Sequence, residues 1–222
     1  MLMDQPLARV SSVKDLGVIL SKDLDFDCHV DYVCGKANSI LGFIAKATRD
    51  IKSPLVLRTL YCSLVRQILE YASPVWCPYL IGQKNRLQCI QKKFVRLVGV
   101  RMGLMYGEIQ VDLLQSELNL QNLELRRVFS DLLFLRKLLQ GEIDCSTLLG
   151  EIDLRIPYRT RSREIFGRRH YARAYEFYSP LARMLRQGNV ICSQVDFFHD
   201  SVTTFKTALH QCLCLEHDGA VL

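Results

Sequence analysis

No run of eighteen apolar residues without charge occurs in this sequence; Arg58 and Arg66 interrupt the nearest approach to one, so a spanning helix is not expected. Residues Met1 to Val10 have neither the basic nor the apolar segment of a signal peptide. The glycine-rich phosphate loop, the dinucleotide fingerprint and the Gly-x-Ser-x-Gly elbow are all absent, so the enzyme classes they mark are not indicated. No internal repeat is evident. One local absence is more informative than these: no carboxylate occurs from Lys84 to Arg101.

Cysteine, by contrast, is plentiful. Nine of them, an odd number without close pairing, do not form a secreted disulfide pattern. Cys62 and Cys89 lie in apolar helical runs, where a reduced thiol packs as a small hydrophobe. The expectation is a protein inside the cell, nuclear or cytoplasmic, with no membrane partner. At 222 residues the chain is one large domain or two small ones. Its net charge of +6 is unevenly placed. Between Arg155 and Arg186 stand nine arginines against two glutamates, a local excess that implies a polyanionic partner.

Two helical runs joined by an elbow organise the chain. Ser53-Pro54 supplies a cap hydroxyl and a proline at the first helical position. Leu57, Leu60, Tyr61, Leu64, Ile68 and Leu69 follow at helical spacing. Pro74, Trp76 and Pro78 end this run and turn the chain. From Gln83 to Val98, Leu87, Ile90, Phe94 and Leu97 fall on one side, and Lys84, Arg86, Lys92, Lys93 and Arg96 elsewhere. Trp76 reads as a core anchor.

Before this pair, Leu7 to Leu20 reads as two short strands with a turn at Ser11-Ser12, and Gly17 suggests a close neighbour. Asp27 reads as the cap of a helix from Cys28 to Thr48, with Val30, Val33, Ala37, Ile40, Leu41 and Ile44 buried. After it, Val111 to Leu118 is a short helical piece. Asn122 caps a long helix whose core face is Leu125, Val128, Phe129, Leu132, Leu135 and Leu139, with Gly141 beyond its end. Asp144 to Leu149 reads as a short turn, Leu154 to Met184 as irregular and arginine-rich, and Asp200 to Leu213 as a last helix. The fold expected is mainly α: an N-terminal β-hairpin, then a thumb-like helical bundle over 1–101, then a helical extension over 102–222 with an irregular Arg-rich segment at 155–186.

Metal and thiol chemistry are weakly indicated. Asp23, Asp25 and Asp27 alternate with apolar residues, but a calcium loop begun at Asp23 would need glycine at Cys28 and glutamate at Cys34. His210, Cys212, Cys214 and His217 are zinc-ligand types at a spacing that suits a tetrahedral site poorly. Cys28-His29 has no identifiable orienting partner, so a thiol protease is not supported.

Several segments together carry a family resemblance. Val13-Lys14-Asp15-Leu16-Gly17-Val18, followed by Leu24-Asp25-Phe26 and His29, resembles the segment after the palm in reverse transcriptases of non-LTR retrotransposons, jockey-like elements especially. Lys36-Ala37-Asn38, Leu41-Gly42-Phe43-Ile44, Leu60-Tyr61-Cys62-Ser63-Leu64-Val65-Arg66 and Gln91-Lys92-Lys93-Phe94 fit the same family. So does Leu69-Glu70-Tyr71-Ala72-Ser73-Pro74-Val75-Trp76. Arg126-Arg127 with Asp131-Leu132-Leu133, Pro157-Tyr158-Arg159-Thr160-Arg161 and Ser179-Pro180-Leu181-Ala182-Arg183-Met184 are similar to the end of such reading frames. The likeness runs from Pro6 to about Leu213.

What the resemblance implies is a thumb and C-terminal extension of an RNA-directed DNA polymerase. In that family magnesium sits on palm aspartates, including a Tyr/Phe-Ala-Asp-Asp turn, because two metals steady the attacking and leaving oxygens. No Asp-Asp pair occurs in this sequence, which starts beyond the point where fingers and palm would stand. The implied chain therefore grips nucleic acid without catalysis. It carries no catalytic residue, metal ligand or cofactor of its own, and the missing palm and fingers polypeptide is a further possible partner. The residues expected to hold an RNA/DNA primer–template duplex are Lys84, Arg86, Lys92, Lys93, Arg96 and Arg101 on the helix. In the irregular segment they are Arg159, Arg161, Arg163, Arg168, Arg169 and Arg173. Arginine makes bidentate phosphate contacts, and tyrosines among arginines stack on unpaired bases. A helical interaction or scaffold module, and a transposon relic without function, are the alternatives.

Overall fold

The computed structural model describes residues 10–155 and 164–219. Arg159, Arg161 and Arg163 lie outside the described residues, as does the segment before Val10. The chain is mainly helical with one N-terminal antiparallel hairpin, and forms two compact units. The first comprises Met1–Ala72 and Pro78–Gln121, the second Ser73–Cys77 and Asn122–Leu222.

The first unit starts with β1 (Ser12–Asp15) and β2 (Val18–Ser21), paired with Val13 opposite Leu20 and Asp15 opposite Val18. The turn is Leu16-Gly17, not Ser11-Ser12 as the β-branched pattern suggested. Both turn residues have positive φ, +44° and +87°, the geometry that twists with the strands. The close neighbour expected at Gly17 exists: a Cβ there would stand 3.3 Å from Tyr71 Cε1, while Tyr71 donates a 2.9 Å hydrogen bond to the Leu16 carbonyl.

Helix α1 (Asp27–Ala47) begins one residue earlier than the sequence suggests. Its cap position is Phe26 in a left-handed conformation, and Asp25, not Asp27, accepts from the Asp27 N–H at 3.2 Å. The next run is α2 (Pro54–Leu60), a π-helical segment (Tyr61–Arg66) and α3 (Gln67–Glu70); the short α4 (Ser73–Trp76) that follows belongs to the second unit. Ser53 occupies the cap position of α2, but its hydroxyl makes no capping bond. The wider π turn shifts the buried stripe to Leu57, Tyr61, Val65 and Leu69, leaving Leu64 42% exposed. Helix α5 (Ile81–Arg101) buries Leu87, Ile90, Phe94, Val95 and Val98 against this run and α1, and Leu97 is only half-buried. Tyr61 stacks on Phe94 at 4.3 Å, and its hydroxyl donates to Gln91 Oε1. Helix α6 (Val111–Glu117) closes the unit: residues 102–121 pack here, with Ile109 against Gly99 of α5, rather than with the later helices.

The second unit holds α4 together with α7 (Leu123–Leu139), α8 (Ser146–Gly150), α9 (Ala174–Phe177), α10 (Pro180–Ile191) and α11 (Val202–Gly219). Asn122 caps α7 as its residue type suggests, accepting from the Glu124 N–H at 2.8 Å, and Gly141 follows with φ +71°. The sequence leaves 180–191 without a helix, although Ser179-Pro180 repeats the Ser-Pro start of α2. Leu132, Leu135, Phe166, Leu185, Phe197, Phe205 and Leu209 form the core, and Trp76 is fully buried.

Packing is tight enough to test. A Cβ on Gly188 would stand 2.6 Å from Cε2 of the fully buried Phe166 and 3.3 Å from Leu135 Cδ2. Gly188→Ala should therefore lower stability by about 1–3 kcal/mol despite its better helix propensity. A thermal midpoint at or above that of the wild type would contradict this packing.

Candidate nucleic-acid interface

Helix α5 is 21 residues, about 31 Å at the usual rise, and its outward face carries the basic residues. At 3.6 residues per turn, Lys92 and Arg96 stand one turn apart along one edge of that face. Arg86 and Lys93 line the other edge, with exposed Cys89 between the two.

The structure does not use the six cations alike. Arg86 pairs with Asp31 and lies 3.9 Å from Asp27, and Lys93 donates to Asn38 Oδ1 at 3.2 Å. These contacts tie their edge to α1. Arg101 donates to the carbonyls of Ala45 (2.7 Å) and Arg49 (2.8 Å), satisfying the C-terminal end of α1. Lys84 is half-buried beside Gln83, whose amide donates to Asp27 at 2.7 Å. Arg96 lies 5.9 Å from the ring of Tyr106, which is 68% exposed. Lys92 and Arg96 are half-buried but keep clear of these ties to α1, whereas Arg86 and Lys93 are exposed and engaged with it.

Among the described residues, most arginines of the Arg-rich segment meet partners within their own unit. Arg168 forms a two-pronged contact with Glu164, and Arg169 pairs with Asp153 at 3.0 Å and approaches Glu151 at 3.9 Å. Arg173 donates to the Tyr175 hydroxyl at 3.0 Å. All three are exposed, so they remain reachable, but two have their charge countered by carboxylates. Arg183 is buried: it donates to both oxygens of Asp131 (2.7 and 3.2 Å) and to the Pro74 carbonyl (2.7 Å). The structure also buries Arg127, Asp131 and Arg136 of α7, at four- and five-residue spacing, alongside the apolar stripe.

A groove of about 470 Å³ in the first unit was not singled out from the sequence. Lys14 of β1 donates to the Tyr32 hydroxyl at 3.1 Å and sits 4.3 Å from the ring centroid. Lys14, then Lys36, holds the Tyr32 phenol below its ordinary pKa. His29 is buried, accepts from the Ile19 N–H at 3.2 Å, and is pulled down first by burial and then by Lys14. The hairpin turn brings Lys14 to the helix residues, which no local sequence signal reveals.

Among the described residues no group of three or more His, Cys, Asp or Glu side chains could hold a metal ion. No helix among them is long and apolar enough to cross a membrane. Searches found no family model, curated protein or solved structure that matches this chain.

Proposed function

We propose that this chain is a thumb and C-terminal extension of a non-LTR retrotransposon reverse transcriptase, jockey-like in type, that holds a primer–template duplex without catalysing its extension. The single observation that supports it best is the outward face of α5, where Arg86, Lys92, Lys93 and Arg96 meet no carboxylate of their own helix. A cationic ridge of this length follows a duplex backbone past several phosphates, reading charge and shape rather than sequence. The family's magnesium would rest on paired palm aspartates, and these 222 residues contain no such pair, so no step through a metal belongs to this chain.

Cys89 offers a direct test because it is exposed in the middle of that face. Primer–template duplex should slow alkylation of Cys89 by a maleimide several-fold, while exposed Cys28 on α1 reacts at its free rate. Equal protection of both thiols, or of neither, would count against α5 as the contact surface.

A second reading is favoured by the exposed apolar side chains: Leu16 is 85% exposed, Phe43 64% and Met105 70%. Large apolar side chains left in solvent gain free energy when a partner covers them. On that reading the helices form a scaffold module, and light scattering of the isolated chain would show concentration-dependent association without nucleic acid.

A further inference from the structure

In the second unit a cleft of about 450 Å³ opens between α10 and the segment 164–171. That volume falls in the range of small-molecule sites. Ala182, Leu185 and Val190 make an apolar wall, and Tyr171 and Phe177, edge to face at 6.3 Å, supply aromatic surface. Arg186 lies in the cleft with its guanidinium carbon 3.7 Å from the Phe177 ring centroid, and it donates through Nη1 to the Phe177 carbonyl.

The charge pattern sets Arg186 apart. Arg168 and Arg169 at the same cleft are countered by Glu164 and Asp153, whereas no carboxylate among the described residues pairs with Arg186. Its Nε and Nη2 donors have no acceptor among those residues either. Half-buried, Arg186 is pulled below the ordinary guanidinium pKa first by burial, with Arg183 adding to the effect and Tyr171 and Tyr178 opposing it. A desolvated cation without a counter-charge gains by binding an oxyanion, and two free N–H groups in one plane favour a bidentate one.

The cleft is also held in shape. Asn189 clasps the backbone of Phe166 at both ends of its amide, accepting from the N–H at 2.9 Å and donating to the carbonyl at 3.0 Å. Phe166 is fully buried, and Gly167 sits so close to Asp153 that a Cβ would stand 2.8 Å from Asp153 Cβ. Glu164 and Asp153 offset Arg168 and Arg169, so Arg186 is the uncompensated cation of this fixed site, and the two flanking arginines supply further N–H donors for the several oxygens of a phosphate.

The geometry points to a site for a phosphomonoester carried on a flat ring: the phosphate on Arg186 and the ring between Tyr171, Phe177 and the wall of α10. This site is built from second-unit residues alone and does not depend on the polymerase reading.

Calorimetric titration of the full chain with phenyl phosphate, inorganic phosphate and benzoate tests it. Phenyl phosphate should bind at least about tenfold more tightly than either fragment, since the ring and the dianion are each needed. Arg186→Lys keeps the charge and should keep the helix, yet loses the planar fork and the ring stack; phenyl phosphate should then bind about tenfold more weakly. Circular dichroism confirms that the variant is folded. Equal binding of phenyl phosphate and inorganic phosphate overturns the inference, as does wild-type affinity in Arg186→Lys or no binding at millimolar concentration.

Discussion

Asp131→Asn should lower the unfolding free energy by about 3–5 kcal/mol, the largest stability loss expected of any conservative change in the second unit. Asp131 is 0% exposed, and its carboxylate takes both bonds from Arg183, itself only 9% exposed. Burial pushes the Asp131 carboxyl above its ordinary range, against the pull of Arg183. The amide would therefore remove a charge that is costly to bury, but it strands a guanidinium that is equally costly and has no other counter-ion. The second effect wins, because an uncompensated buried charge is worse than a buried pair. Replacing both, as Asp131→Leu with Arg183→Met, should recover most of the loss. About 1–3 kcal/mol should remain, since the Pro74 carbonyl then loses the donor that Arg183 supplies at 2.7 Å. Urea midpoints of the two variants decide it: an unshifted midpoint for Asp131→Asn would mean that the pair does not clasp the elbow to α7 and α10.

Neutralising Arg86, Lys92, Lys93 and Arg96 together should weaken duplex binding by roughly a thousandfold at 0.1 M salt, because each phosphate left without its cation removes about 0.9 from the slope of log K against log salt. The four should not contribute alike. Arg86 and Lys93 already face Asp31 and Asn38, so they must exchange an internal partner for a phosphate. Lys92→Gln with Arg96→Gln should accordingly cost more affinity than Arg86→Gln with Lys93→Gln. Arg101→Gln should leave the salt slope unchanged while lowering stability by about 1–2 kcal/mol, because its donors are committed to the Ala45 carbonyl in the last turn of α1 and the Arg49 carbonyl just beyond it. Equal losses from the two pairs would show that the internal contacts do not persist in solution.

Much of the architecture is legible in the sequence. The period of α1, the cap and terminal glycine of α7 and the basic run of α5 are local signals, and local signals survive folding. What resisted reading depends on distant partners. The hairpin turns at Leu16-Gly17, where both residues take positive φ, and Tyr71, far along the chain, adds a hydrogen bond to the Leu16 carbonyl. The stripe of the second helical run shifts because a π turn changes its period, which spacing alone does not announce. Arg127, Asp131 and Arg136 look like solvent-facing residues on a helix wheel, and contacts from α4, α10, Glu142 and the Asp200 carbonyl make their burial tolerable. Within the candidate interface, sequence identifies the cations but not their internal partners, which separate Lys92 and Arg96 from Arg101.

The most direct measurement is the affinity of the wild-type chain for a primer–template duplex across a series of salt concentrations. A contact surface built on α5 gives a straight line of log K against log salt with a slope between about −2 and −4, the same for duplexes of unrelated sequence. A slope near zero, or nucleotide incorporation by the isolated chain that depends on its own carboxylates, would contradict the account.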